Sequence, residues 1–311
     1  MLAGKAVIAP HAAQKHKKNR LTAFDIALYL IMLIVVIITI YPFWHELVIS
    51  LDGSSMVNVA GIKLFPHELS FDAYRVVLNY YTLWRSFGWA IYRVVLGTFL
   101  TILMNMLTAY PLSKKDLPFR KACIMYLFIT MLIGGGLIPN YLLVRYLGMM
   151  NTYWALVVPG CVSAYNIFVV NNFYKSQPQS IEESAMIDGA GWLSIWIRLV
   201  IPLSGPIIAV IGLWSAVGHW NAWFDVQLYI MSASRYTLPA VLRKILIDTS
   251  SNNATAAEFQ ALANQAISGT QLQGKSVEAA ITMVSIIPML ILYPFLQKYF
   301  VKGINVGSIK E

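Results

Sequence analysis

The 311 residues are 58% apolar and 12% charged, with a mean hydropathy of +0.63 and a formal net charge of +9. Soluble domains carry about 25% charged residues, so this chain lacks the polar surface to face water on all sides; lipid needs no such cover. A cytosolic enzyme, a secreted protein, a disordered chain and a nucleic-acid binder are thereby excluded, and the two cysteines, Cys123 and Cys161, lie in apolar runs that imply no disulfide framework.

A span needs roughly 20 apolar residues to cross roughly 30 Å of hydrocarbon. Six stretches qualify: 24–43, 87–112, 122–138, 154–173, 203–230 and 279–296. The first is too long for a cleaved leader and no small-x-small site follows it, so it is expected to stay as an anchor. The third is interrupted by Gly134-Gly135-Gly136 and then Pro139, which predicts an irregular end. The chain is therefore expected to be an all-α, polytopic membrane protein with six transmembrane helices.

Loop charge sets the orientation. Lys5, Lys15, Lys17, Lys18 and Arg20 precede the first span, and Lys114, Lys115, Arg120 and Lys121 crowd the loop between the second and third. Both clusters predict a cytoplasmic N-terminus and, with six spans, a cytoplasmic C-terminus. The expected layout is a basic inner tail over 1–23, a membrane domain over 24–300 and an inner tail over 301–311. Long outer loops are expected at about 47–86 and 232–278. The second contains an alanine-rich stretch, 256–266, that could form a helix, and a sequon, Asn253-Ala254-Thr255, too common by chance to carry weight.

The inner loop 174–202 is acidic where inner loops are usually basic. It reads Ser180-Ile181-Glu182-Glu183-Ser184-Ala185-Met186-Ile187-Asp188-Gly189-Ala190. Ser180 with Glu183 three residues on forms a capping-box pattern, and the acidic first turn suits the helix dipole. Gly189 suits a left-handed stop. A helix of about two turns is predicted, with a small apolar face of Ile181, Ala185, Met186 and Ile187. It is either a surface helix lying along the membrane or a plug for a groove on a cytoplasmic partner.

This loop resembles that of ABC-importer permeases, whose pattern is E-A-A-x3-G-x9-I-x-L-P. Here Glu183-Ser184-Ala185 is followed by three residues, Gly189, nine residues and Leu199-Val200-Ile201-Pro202. Five further stretches are similar to the carbohydrate-uptake permeases, in particular the oligo- and polysaccharide branch related to maltose-type importers. They are residues 134–143 (GGGLIPNYLL), 147–156 (LGMMNTYWAL), 220–224 (WNAWF), 236–242 (YTLPAVL) and 293–304 (YPFLQKYFVKGI). The resemblance covers nearly the whole chain from about Leu21.

The resemblance implies a type I ABC-importer permease fold in the bacterial cell membrane. It implies a second, probably non-identical permease subunit, a cytoplasmic ATPase dimer and an extracytoplasmic sugar-binding protein as partners, and an oligosaccharide as cargo. No G-x-x-x-x-G-K-[ST] occurs, so ATP and Mg would belong to the partner ATPase, and this chain is expected to hold no cofactor. Glu182, Glu183, Ser184, Ala185, Met186, Asp188, Gly189, Ala190 and Pro202 are then the expected ATPase-coupling residues. Glu183 would pair with a basic residue of the ATPase, and Gly189 would allow the bend that passes force to the fifth span. The tail from Gly303 to Glu311 is a second contact candidate.

Sugar recognition needs aromatic faces and amides. The candidates are His219, Trp220, Asn221, Trp223 and Asp225 late in the fifth span, and Thr101 with Asn105 on one face of the second. An Asn within a span serves equally as a fastener between helices. Of the ionisable groups within spans, Arg93 and Asp225 are expected near the outer edge, where Arg93 can snorkel. Two rivals remain: an ion-coupled secondary transporter, which usually needs buried acids and internal repeats, and an ABC permease for amino acids or peptides. His45-Glu46-Leu47-Val48-Ile49 begins like H-E-x-x-H but has Ile at the second ligand position, so no metal site is expected.

Overall fold

The computed structural model describes residues 22–54, 57, 61–250 and 274–307. The basic tail, the sequon, the stretch 256–266 and Glu311 lie outside these residues. Two compact units divide at His45 and Glu46. Among the described residues every regular element is helical, and pairing of extended backbone is limited to one isolated bridge, Asp52 with Leu69.

Helix α1 runs Ala23–Ser50, and the apolar side chains of its first two-thirds are exposed all round. That pattern is stable only where the surroundings are themselves apolar. The predicted outer loop 47–86 is largely structured. Helix α2, Asp72–Asn79, buries Ala73, Val76 and Val77, and α3 already begins at Tyr81. Asp52, ahead of them in the chain, is buried, accepting from the Ser54 and Glu68 N–H groups at 3.0 and 3.4 Å, while its own carbonyl accepts from the Ser276 hydroxyl at 2.8 Å.

Helix α3, Tyr81–Ser113, is one unbroken helix of 33 residues. The next predicted span, 122–138, is instead a bent pair. Helices α4, Arg120–Leu132, and α5, Leu137–Tyr146, meet at 116° across residues 133–136. Gly136 supplies the turn with φ +75, a conformation that glycine adopts without steric cost.

The span predicted at 154–173 is not a single helix. A four-residue turn, α6, Trp154–Val157, stops before Pro159-Gly160, and α7, Ala164–Ser176, starts anew. Proline cannot donate to the preceding turn and glycine weakens a helix, so the pair divides the segment. Ser163 caps the restart, its hydroxyl accepting from the Asn166 N–H at 3.4 Å.

After the loop helix α8, Gln179–Ile187, comes α9, Trp192–Leu203, whose middle five residues, Trp196–Val200, are π-helical. A 79° bend at Ser204 leads to α10, Gly205–Asn221. Pro202 and Pro206 flank that bend and account for it, since each removes a backbone donor. The predicted fifth span, 203–230, therefore ends early: α10 stops at Asn221, and α11, Phe224–Tyr229, is a separate short helix. A 3-10 turn, Ala233–Arg235, and α12, Leu238–Ser250, fill the start of the second predicted outer loop. Helix α13, Gly274–Gly307, runs well past the predicted end of the last span at both sides.

Among the described residues three helices are long and apolar enough to cross a membrane, or up to five spans if each bent pair counts once. Helices α3 and α10 pack closely side by side, and small residues let them approach. A Cβ on Gly97 would meet the His219 imidazole at 2.3 Å, and one on Gly212 would touch Ile102 at 3.4 Å.

Candidate functional site

Helix α8 starts two residues sooner than the capping box predicts. Pro178, with φ −61, occupies the cap position, and no side chain caps the helix. Ser180 is already inside the first turn, where its carbonyl accepts from the Ser184 hydroxyl at 2.8 Å. The box expected from Ser180 and Glu183 is therefore not formed; a proline pre-set for the entry replaces it. The stop is as predicted. Gly189 takes φ +80, its N–H donates to Met186 O at 3.0 Å, and the Ala190 N–H donates to Ala185 O at 3.0 Å. Those two bonds are a complete Schellman motif.

One face of α8 is turned into the molecule. Ala185 and Ala190 pack against a buried cluster drawn from α3, α7, α9 and α10, including Met106, Tyr110, Ile167, Tyr174 and Trp196. Glu182 faces the same way and is ion-paired with Lys114 at the end of α3. The Tyr110 hydroxyl donates to Glu182 Oε2 at 3.2 Å, and the Lys114 ammonium lies 4.5 Å from the Tyr110 ring and 5.8 Å from that of Trp192. Such a cation gains from both ring faces as well as from the carboxylate. The other face is open. Glu183, Ser184, Met186, Ile187 and Asp188 are exposed, Ile187 by 87%. A large apolar side chain so exposed on a polar two-turn helix is a knob without a socket among the described residues.

The sequence treated Glu182 and Glu183 alike, yet they part company here. Residues 182 and 185 are three apart and share the inward face, whereas 183 lies about 100° round the helix. A signal for this existed in the basic loop: Lys114 is the first cation after the second predicted span, where an inward-facing carboxylate could meet it.

The sugar-path candidates are brought together in part. Trp220 is buried and packs edge-on against Phe87, with ring centroids 5.8 Å apart. His219 sits on the backbone of Gly97. Asp225, in the first turn of α11, is held by a two-point ion pair with Arg93, one arm measuring 3.1 Å. Arg93 also donates to the carbonyl of Ala222 at 3.1 Å, in the break between α10 and α11. The expectation that Arg93 snorkels fails: its side chain is 2% exposed, because a carboxylate and an orphan carbonyl lie within reach inside. Trp223 is half-buried beneath Arg243, whose guanidinium carbon is 4.6 Å from the ring centroid. Asn221 is exposed.

Thr101 and Asn105 are closed off. The Asn105 amide donates to Thr101 O at 2.5 Å and Cys161 O at 2.9 Å, and its Oδ1 accepts from the Ser163 N–H at 3.0 Å. Two of its three partners, Cys161 and Ser163, lie in the break that divides α6 from α7, so this Asn fastens that break to α3.

One group escaped sequence reasoning entirely. Asn151, with φ +58, accepts through Oδ1 from the N–H groups of Met231 and Ser232 at 3.2 and 3.3 Å and donates its own N–H to Tyr229 O at 2.8 Å. Arg235 closes the knot by donating to Asn151 O at 2.8 Å, and the Tyr153 hydroxyl donates to Arg235 O at 2.5 Å. The stretch 147–156 is thereby tied to the chain that follows α11. An Asn able to take the left-handed region after Gly148 was its only sequence signal.

Comparison with known proteins then places this architecture. No family model matches the chain. It is 35% identical over 293 residues to the polygalacturonan/rhamnogalacturonan transport system permease protein YtcP of Bacillus subtilis (strain 168), covering 94% of this chain and 99% of that one. It is 27% identical over 275 residues to the melibiose/raffinose/stachyose import permease protein MelC of the same organism, covering 86% and 91%. Among solved structures, a chain of a bacterial ABC transporter involved in the import of the acidic polysaccharide alginate matches with a TM-score of 0.81 at 28% identity, over 89% of this chain and 96% of that one. With its lipid-facing helices and near full-length similarity, the chain belongs to the sugar permeases of ABC transporters.

Proposed function

We propose that this chain is one half of the membrane pore of an ATP-driven, binding-protein-dependent importer for oligosaccharides or polysaccharide fragments. The relatives' polymeric cargoes, polygalacturonan/rhamnogalacturonan and alginate, support the larger end of that range. Six spans in the bacterial cell membrane, with both termini cytoplasmic, put α8 on the cytoplasmic side, in keeping with the basic loop at Lys114, Lys115, Arg120 and Lys121. A second permease subunit completes the pore, a cytoplasmic ATPase dimer binds ATP and Mg, and a binding protein delivers sugar to the outer surface.

The observation that carries this reading is the two-sidedness of α8: anchored by Glu182, Ala185 and Ala190, and open along Glu183, Met186, Ile187 and Asp188. Ile187 and Met186 fill a pocket on the ATPase, Glu183 meets a cation there, and Gly189 with Pro202 lets α8 and α9 transmit the closing of the ATPase dimer to α10. Closure alternates the pore between inward and outward access as a two-state device, driven by the difference in nucleotide affinity between the states. Asn221 and Arg243, the latter stacked on Trp223, are the groups placed to meet a sugar, because their polar side chains are exposed.

The complex, purified through a tag on this chain and reconstituted in liposomes, tests the reading with labelled oligogalacturonates, alginate oligomers and maltodextrins. Uptake of at least one class that requires internal ATP and survives collapse of proton and sodium gradients is expected. Uptake that follows an ion gradient and ignores ATP would contradict it.

A further inference from the structure

Helix α3 meets the rest of the chain through polar side chains at several interruptions. Arg93 holds the break between α10 and α11, Asn105 holds the break between α6 and α7, and Lys114 with Tyr110 holds α8. Arg93 and Asn105 both bind backbone groups that any stable fold must satisfy, Arg93 pairing with the Asp225 carboxylate as well. The third is different in kind. Lys114 and Tyr110 reach α8 through the Glu182 side chain and touch no backbone break, and that helix is short and otherwise fixed inward by two methyl groups, those of Ala185 and Ala190. Its members are also partly open to solvent, with 26% of the Lys114 side chain and 16% of Glu182 exposed. The pair is thus the main directional link between α8 and α3.

We propose that Lys114 is a positioning residue of transport. Its ammonium, seated over Tyr110 and paired with Glu182, makes α8 and α3 one rigid body, so that a displacement of α8 moves α3 along with α9 and α10. The consequence reaches the far end of α3. There Arg93 grips Ala222 and Asp225, and the motion arrives at the break carrying Trp223 beside exposed Asn221. This inference rests on the reading of α8 as the helix the ATPase moves.

Spin labels at exposed positions 179 on α8 and 91 on α3, in a background with Cys123 and Cys161 replaced, measure the link in the whole complex. In the parent complex the 179–91 distance is expected to stay the same when the non-hydrolysable analogue AMP-PNP is added. With Lys114→Gln the distance gains a nucleotide-dependent shift, because α8 follows the ATPase while α3 lags. Lys114→Arg, which keeps a cation over the Tyr110 ring and beside Glu182, shows no such shift. A looser fold alone alters the distance in both conditions and adds nothing that depends on nucleotide. A Lys114→Gln complex whose distance still ignores AMP-PNP, or a Lys114→Arg complex that behaves like Lys114→Gln, overturns the latch. A tagged parent chain that brings down no ATPase overturns instead the reading beneath it.

Discussion

Asn105 and Gly97, eight residues apart on α3, show how single residues set what this fold permits. Asn105, itself fully buried, satisfies the Cys161 carbonyl and the Ser163 N–H at the break between α6 and α7. An unsatisfied buried group costs about 1–3 kcal/mol, so Asn105→Leu should lower thermal stability in detergent by that order while leaving insertion intact. An unchanged melting temperature would mean the break is hydrated after all. Gly97 admits His219: an added Cβ would lie 2.3–2.7 Å from three imidazole atoms. Overpacking of this kind costs about 1–3 kcal/mol. Gly97→Ala is therefore expected to destabilise the protein, and adding His219→Ala should recover most of the loss. Equal instability in the single and double variants would show that the ring is not the obstacle.

At the level of elements, the proposed coupling role rests on α8 and the stop at Gly189 that follows it. Gly189→Pro fixes φ near −65° and deletes the N–H that bonds Met186 O, so the Schellman stop is lost. Glu183→Arg leaves the anchored face untouched and reverses the charge of the open one. Both variants should reach the membrane at parent levels yet lose at least tenfold of ATP-dependent uptake, read by initial rate against amount of complex. Normal rates in both would remove α8 from the coupling path.

How much of this was visible in the sequence follows physical lines. Long apolar runs such as those of α1 and α3 were legible because burial in lipid is decided by composition alone. The stop at Gly189 was legible because one residue type dominates left-handed positions. Breaks at Pro159-Gly160 and after Asn221 were hidden inside runs apolar enough on average to read as single spans, since mean hydropathy does not register where a helix stops and restarts. Arg93 looked like an edge residue because its partner, Asp225, lies far off in sequence. Glu182 and Glu183 could be told apart only once Lys114 and Tyr110 had been placed against the loop.

For the molecule as a whole, α3 is the common member. Three interruptions of the chain are fastened to it in order, at Arg93, Asn105 and Lys114, and it packs along α10 through Gly97 and Gly212. A rigid helix of 33 residues spans about 50 Å at 1.5 Å rise per residue, enough to relate events on both membrane faces. The account stands on an ATP-hydrolysing subunit that receives α8. A photo-crosslinking amino acid placed at Ile187 in the intact complex tests this directly. It should capture a nucleotide-binding subunit upon illumination, with a yield that changes when ATP is added. Capture of lipid or of this chain alone, with no nucleotide-binding protein in the product, would contradict it.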